Sequence, residues 1–478
     1  MGKLSRQVGG YTEGRIKPLE RVDMPESRPK QGMPLLKKLF WLYFLLLIFE
    51  GALRKWFFPQ YSAPLLLVRD PVAMFIIWEA YRTNKWPKRW SAIIGVLTAV
   101  FLSMSVIQVV AGGNPWLVAV YGLRSYLLPF PVAFIMGENL DREELRQFAV
   151  FTLWILLPMT GLEVAQYLAP AGSLLNKGAY AGASQIVYVG SHVRASGTFS
   201  YVVGPISLGP LAAAFIFYGM ATGKFVQRWL LWAATFALLL SIPVVGARTM
   251  VYELGGVLAC VAFGGFFGVS QFTRSLKIIM PILIVGLLVS RLAIFSEASH
   301  SLDRRFNQAS ENEGNAEQSL LRRTLLPITH RIENTDYTSN LIGVGMGRGS
   351  AAMSKLLIGT VVFLTGEDEF SREMDELGPF MGFAFMLFRL ILALMIIFKA
   401  LQRARDHDPL PLLLVPLMFS TLFLGILEQP TDQGFMVIAV AFSLAALHGT
   451  PLSIVPAPIV NPRMPRVRYN PRLQSRGN

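Results

Sequence analysis

The chain has 478 residues, of which 53% are hydrophobic and only 15% are charged. Soluble proteins carry ~25% charged residues, so this composition argues against a soluble domain and for a polytopic membrane protein. Many of its apolar runs reach or approach the ~20 residues with which a helix crosses ~30 Å of hydrocarbon. A membrane β-barrel would instead show weak alternating segments of ~10 residues. We therefore predict an all-α bundle of transmembrane helices.

The formal net charge of +14 is concentrated in the two ends of the chain and in short loops. The first 38 residues contain nine Lys/Arg against four Asp/Glu. This distribution favours contact with anionic lipid and gives no indication of nucleic acid as a partner. The single cysteine, Cys260, lies within an apolar run and has no second cysteine to pair with, so it does not indicate the redox compartment.

The apolar runs predict about twelve spans. A basic arm (1–38) precedes spans one to nine (39–295), and an outer loop (296–376) separates these from spans ten to twelve (377–448) and a basic tail (449–478). The individual spans are expected near 39–50, 64–81, 92–110, 116–137, 148–168, 201–220, 229–245, 250–269, a ninth ending near Phe295, 377–401, 410–427 and 435–448.

Lysine and arginine are enriched in cytoplasmic loops, and this bias orients the bundle. The arm, the tail and the basic turns 82–89, 224–228, 274–277 and 399–405 all fall on one side of the predicted membrane. Both termini are therefore expected in the cytoplasm. The opposite, outer side then receives the 296–376 loop and the 428–434 turn.

Three arginines are candidates for function because they occur at or inside the outer ends of spans. Arg194 begins the sequence Arg-Ala-Ser-Gly-Thr-Phe before span six, and Arg248 stands in Gly-Ala-Arg-Thr before span eight. Arg124 lies about two turns inside span four, where an ionisable residue is a functional candidate by default. Pairing of Arg124 with Glu163 of span five is the structural alternative. The adjacent Arg69 and Asp70 could likewise neutralise one another at the start of span two.

Other motifs carry weaker signals. The segment Gly343-Val-Gly-Met-Gly-Arg-Gly349 looks like a phosphate loop, but it follows no clear strand, and we interpret it as a turn-rich loop. The five scattered histidines show no zinc-binding spacing, and no Gly-x-Ser-x-Gly nucleophile motif occurs. No cofactor or metal is expected.

The Arg194 motif, the Gly246-Ala-Arg-Thr249 motif and an outer loop that closes on Glu376-Leu-Gly378 together resemble the O-antigen ligase and polymerase family. The resemblance implies transfer of a glycan from undecaprenyl diphosphate at the outer face of the bacterial inner membrane. Family ligases carry a His-Asn pair where this chain has Asp368 and Glu369. The polymerase or exopolysaccharide-assembly branch is therefore the more natural expectation.

The residues themselves suggest roles in such a reaction. Guanidinium groups can hold a lipid diphosphate bidentately and neutralise charge that builds on the leaving group, which makes Arg194, Arg248 and Arg124 the candidate donor-binding residues. A carboxylate of the outer loop could act as general base on an acceptor sugar hydroxyl. The candidates are Asp368, Glu369 and Glu376, then Asp375, with His330 as an outsider. The same acidic stretch could equally be a solvated first turn of span ten.

Two other classes of function stay open. A flippase or transporter of lipid-linked oligosaccharide would also need many spans, although we find no convincing repeat between the two halves of the chain and no need for so long a loop. A structural partner in a polysaccharide export complex is the third. The expected partners are the lipid-linked donor, a glycan acceptor, membrane lipids and other assembly proteins.

The charge bias makes a topology prediction. Single cysteines placed near Gly190 and Asn315, in a chain whose Cys260 has been replaced, should react with an impermeant reagent from outside. Cysteines near Lys85 and Arg403 should react only from the cytoplasmic side. Cytoplasmic labelling at Asn315 would contradict the predicted orientation.

Overall fold

The computed structural model describes residues 34–179, 188–189, 192–223, 225–266, 341–350, 353 and 369–448. Most of the basic arm, span nine, most of the outer loop and the tail lie outside the described residues. Asp368 and His330 lie outside them as well.

The described chain is almost entirely helical, as the composition predicts. Its only strands among the described residues are β1 (Tyr188–Val189) and β2 (His192–Val193), which pair antiparallel. Its helices are α1 (Leu35–Ala52), α2 (Ser62–Leu65), α3 (Arg69–Arg82), α4 (Ser91–Val110), α5 (Trp116–Leu127), α6 (Pro129–Asn139), α7 (Arg142–Leu168), α8 (Val203–Thr222), α9 (Arg228–Val245), α10 (Arg248–Phe266), α11 (Glu369–Leu377), α12 (Pro379–Arg405), α13 (Leu410–Phe419) and α14 (Pro430–Leu447).

Seven helical stretches in the described part of the chain are long and apolar enough to cross a membrane. They are Lys88–Val110, Trp116–Asn139, Arg142–Leu168, Val203–Thr222, Arg228–Val245, Pro379–Arg405 and Pro430–Leu447. The helical class is thus confirmed and the seven stretches are compatible with a membrane protein, whereas the count of twelve spans and the position of the large loop stay predictions. Helix α1 contains three charged residues, and α3 is only 14 residues long. The shorter apolar stretch Leu410–Leu424 combines α13 with a π-helical turn at Ser420–Leu424.

Several predicted boundaries were wrong. Helix α1 begins at Leu35, inside the predicted arm, and the second predicted span is broken into α2 and α3. The predicted first turn of span ten is a separate helix, α11. It ends before Gly378, whose φ of +80° favours glycine, and α12 then begins at Pro379. The close approach of Gly382 to the backbone of Glu373 shows that α11 folds back onto α12.

Helices α8 and α14 form the centre of the bundle, with 83% of each apolar stretch buried. A helix that is hydrophobic on every side suits a position surrounded by other helices. Helix α6 packs against α14, where a Cβ on Gly137 would lie 2.7 Å from the Cβ of Leu444. At that end of the bundle, Arg142 of α7 forms an ion pair with Asp408 and donates from Nε to the His448 carbonyl at 3.0 Å.

The glycine-rich segment 343–349 forms turns, as interpreted from its sequence. Its glycines permit close packing, because a Cβ on Gly347 would lie 2.2 Å from the carbonyl oxygen of Val118 in α5. Gly347 also has a φ of +88°. Gln108 of α4 holds the segment with its side-chain amide, accepting from the Met346 amide at 2.8 Å and donating to the Ile342 carbonyl at 2.7 Å. These contacts fix the segment on the C-terminal end of α4 and the N-terminal half of α5.

We predict that Gly122→Ala destabilises the protein by about 1–3 kcal/mol, the usual cost of overpacking. The added Cβ would lie 2.3 Å from the backbone nitrogen of Gly347, and neither backbone can easily move. Gly161→Ala in α7 is the matched control, since its Cβ meets nothing within 4 Å. That change should be neutral or stabilising because alanine is the better helix former. Thermal unfolding in detergent measures both, and equal melting temperatures would contradict the packing argument.

Candidate functional site

An apolar groove lies between the α2–α3 region and α5, with a cavity volume of about 820 Å³. Ligand cavities of ~300–1,000 Å³ are typical of small-molecule sites. Several of its apolar lining residues are about half exposed, as expected where a groove opens towards lipid: Phe58, Tyr61, Met74, Leu117 and Val120. Asp70, Tyr121 and Arg124 bring polar groups to the wall of the same groove.

Arg124 is the cation of this groove, and only 9% of its side chain is exposed. Its Nη1 lies 3.3 Å from Oδ2 of Asp70, and its guanidinium carbon lies 4.3 Å from the ring centre of Tyr121. Its Nε and Nη2 atoms are buried and have no hydrogen-bond partner among the described residues. A buried guanidinium with two unsatisfied donors is costly, so this side chain is suited to receive an acceptor group from a ligand.

The pairing of the outer charges differs from both sequence-based alternatives. Arg124 pairs with Asp70 of α3 and not with Glu163, which accepts a hydrogen bond from the hydroxyl of Ser241 at 2.5 Å. Arg69 does not neutralise its neighbour Asp70. It lies 3.1 Å from Oε2 of Glu50 in α1 instead. Adjacent residues on a helix point in different directions, so each of the two finds its partner on a different neighbouring helix.

Glu428 stands beside Tyr121, in the turn between the Ser420–Leu424 π-helical turn and α14. The Tyr121 hydroxyl donates to its Oε1 over 3.4 Å, and the Ser350 hydroxyl hydrogen-bonds to the same carboxyl group. Burial raises the pKa of the Glu428 carboxyl, whereas the Ser350 hydrogen bond and the nearby Arg372 and Arg124 oppose that rise. The side chain is partly accessible.

The segment that begins at Arg194 contacts the residues just before Arg248. The Nε of Arg194 donates to the Val245 carbonyl at 2.9 Å, and the Ala195 amide donates to the Val244 carbonyl at 3.3 Å. The Arg194 segment therefore lies along the last turn of α9, and Arg248 begins α10 three residues after Val245. Whether the two bind one ligand stays a prediction.

The Arg194 motif is also tied to the end of α1. Lys55, only 2% exposed, donates from Nζ to the Ser196 hydroxyl at 2.6 Å, and Arg54 donates from Nη1 to the Ser200 hydroxyl at 2.9 Å. Arg54 also pairs with Glu50, the carboxylate that holds Arg69. Through these contacts, the Arg194 segment and the start of α3, which carries Asp70, lie at the same end of the bundle.

Glu369 and Glu376, two of the predicted general bases, lie in a buried ion-pair network on α11. Glu376 accepts from Arg372 at 2.8 Å, from the Tyr126 hydroxyl at 2.7 Å and from the Gly349 amide at 2.7 Å. Glu369 pairs with Arg372 at 2.7 Å and with Arg389 at 3.3 Å. These partners fix both carboxylates inside the protein. The geometry favours a structural role, and the catalytic role stays an untested prediction.

Sequence reasoning missed Tyr121 as a partner of Arg124 and Glu428 as a partner of Tyr121. Tyr121 was visible only as an aromatic neighbour of a buried arginine, and Glu428 only as an acid in a turn assigned to the outer side. No pattern in the sequence joins the two, because 307 positions separate them. Among the described residues, no group of three His, Cys, Asp or Glu side chains is arranged to hold a metal ion.

Comparison with known proteins identifies no relative: no family model and no curated protein sequence matches the chain.

The buried lysine predicts a pH dependence of stability. Burial, helped by the neighbouring Arg54, lowers the pKa of the Lys55 ammonium from 10.5 to about 7. Between these values the unfolded chain binds more protons than the folded protein, so the free energy of unfolding should rise with pH from about 7 to about 10, by up to ~1.4 kcal/mol per pH unit.

Lys55→Met should remove that rise, whereas Lys88→Met, at an exposed lysine, should keep it. Denaturant unfolding in detergent at pH 7.5 and pH 9.5 measures the slope. The same pH dependence in the Lys55→Met protein and the wild type would contradict the assignment.

Proposed function

We propose that the protein transfers a glycan from a polyprenyl diphosphate carrier to a sugar hydroxyl at the outer face of a bacterial inner membrane. The reaction we favour is the polymerisation of a polysaccharide such as O-antigen or exopolysaccharide. Transfer to a lipid anchor, the ligase reaction, is the alternative within the same chemistry.

The observation that carries the proposal is the position of Arg124 in the apolar groove. The groove has an apolar wall with exposed residues that a lipid chain could contact, and it also has a guanidinium with two unsatisfied donors. An amphiphile with a long hydrocarbon chain and an anionic head group matches both features. Diphosphate oxygens suit the planar donor fork of arginine.

Two further features support the reaction class. The Arg194 segment contacts the end of α9, three residues before Arg248, so two further arginines stand on neighbouring segments. Asp368 and Glu369 occupy the positions where the ligases that this chain resembles carry His and Asn, which favours the polymerase reaction.

A membrane assay separates the alternatives. Vesicles containing the purified protein are supplied with an undecaprenyl diphosphate-linked oligosaccharide, with and without a lipid-anchor acceptor. Growth of the lipid-linked chain supports polymerase activity, and transfer to the anchor supports ligase activity. Movement of the donor across the bilayer with neither product would contradict glycan transfer and support a flippase.

Arg124→Lys tests donor binding directly. Lysine keeps the charge opposite Asp70 but loses the planar fork, and hydrogen bonds to charged groups contribute about 1.5–3 kcal/mol each. We expect affinity for undecaprenyl diphosphate to fall by about 10- to 100-fold, with little change for the neutral polyprenol. Arg82→Lys, at the other end of α3 with a 56% exposed side chain, is the matched control. Unchanged affinity in the Arg124→Lys protein would remove Arg124 from the donor site.

A further inference from the structure

The surroundings of Glu428 differ from those of four carboxylates near it that are paired with arginine. Asp70, Glu50, Glu369 and Glu376 each form an ion pair with an arginine. Among the described residues, Glu428 forms no ion pair, and its hydrogen-bond partners are the hydroxyls of Tyr121 and Ser350. A carboxylate bonded to neutral hydroxyls keeps more of its basicity than one held by a guanidinium.

Tyr121 connects this carboxylate to the groove. Its ring faces the guanidinium of Arg124 at 4.3 Å, and its hydroxyl reaches Oε1 of Glu428 at 3.4 Å. Tyr121 lines the groove together with Arg124, so Glu428 stands one side chain away from the proposed diphosphate position. Glu428 as a whole is partly exposed.

We propose that Glu428 is the general base of the reaction and that Tyr121 positions its carboxylate; this inference rests on the proposed function. As the acceptor oxygen attacks the anomeric carbon of the donor, its O–H bond breaks and the proton passes to the Glu428 carboxylate. A new C–O bond forms while the bond from the anomeric carbon to the diphosphate oxygen breaks. The leaving diphosphate takes the electron pair, and Arg124 faces the added negative charge.

The fold places the group that binds the donor and the group that accepts the proton on different elements. Arg124 belongs to α5 and is held by Asp70 of α3, whereas Glu428 belongs to the turn before α14 and is held by Ser350 of the glycine-rich segment. Tyr121 lies between them. Glu428 and Arg124 form no ion pair, although the Arg124 charge acts on the carboxylate from a distance.

The Glu428 carboxyl is a stronger base than an ordinary exposed glutamate. Burial raises its pKa, and a catalytic base is most effective when its pKa lies close to the working pH. The groups that act on it are Tyr121 and Arg124 of α5, Ser350, and Arg372 and Glu376 of α11. Protonation of Glu428 at lower pH would stop transfer without removing the Arg124 charge.

Glu428→Gln is the central test, because glutamine can still accept the Tyr121 hydrogen bond but cannot take a proton. Chain growth from the undecaprenyl diphosphate-linked oligosaccharide should slow by about 10²- to 10⁴-fold, the usual contribution of a general base. Affinity for undecaprenyl diphosphate and the melting temperature should stay within twofold and within a few degrees of wild type. Glu143→Gln, at a half-exposed acid near the start of α7, is the matched control and should keep full activity.

Two further readouts separate a base from a structural residue. The wild-type rate should fall as the pH drops through the pKa of the base, and the residual rate of Glu428→Gln should lose that dependence. Formate should partly restore transfer in Glu428→Ala, since a small carboxylate can occupy the vacated space, and should leave Glu428→Gln unchanged.

Several results would overturn the inference. A normal rate in Glu428→Gln would remove Glu428 as the base, and a parallel loss of donor affinity and stability would make it a structural residue. An unaltered pH dependence in that variant would also exclude it. If the wild-type protein itself neither binds undecaprenyl diphosphate nor transfers glycan, the proposed function fails as well, and that outcome is distinct from a failure of Glu428 alone.

Discussion

The need to pair charge inside an apolar bundle governs the arrangement of the described structure. Arg389 of α12 is fully buried and pairs with Glu369 and Glu373 of α11. Removing one member of such a pair leaves an uncompensated charge and costs several kcal/mol. Helix α11 is therefore held against α12 by ion pairs, and its last carboxylate, Glu376, fixes the glycine-rich segment through the Gly349 amide.

The charged groups of α11 and those of the groove differ in how fully their hydrogen-bonding capacity is satisfied. Glu369, Glu373 and Glu376 of α11 each pair with a nearby arginine, so they stabilise the fold. Arg124 is only partly satisfied, since Asp70 contacts one end of its guanidinium and two donors stay without a partner among the described residues. Unused hydrogen-bonding capacity beside an apolar groove is what a lipid with an anionic head group requires.

The glycine-rich segment joins the two regions. It packs against α5 at Gly122, receives Glu376 from α11, and presents Ser350 to Glu428. Glycine permits this because a side chain at position 347 would collide with the α5 backbone. A segment that resembles a phosphate loop in sequence thus serves in the structure to place helices and a hydroxyl group close together.

The sequence by itself determined the helical class, the presence of apolar helices long enough to cross a membrane and the approximate position of several of them. Hydrophobic length and charge bias are local properties, and they can be read from consecutive residues. The tertiary structure alone decided that Arg69 pairs with Glu50, that Asp70 pairs with Arg124, and that Tyr121 meets Glu428. Those partners come from helices far apart in the chain, and helical periodicity shows which face a residue occupies but not which helix packs against that face.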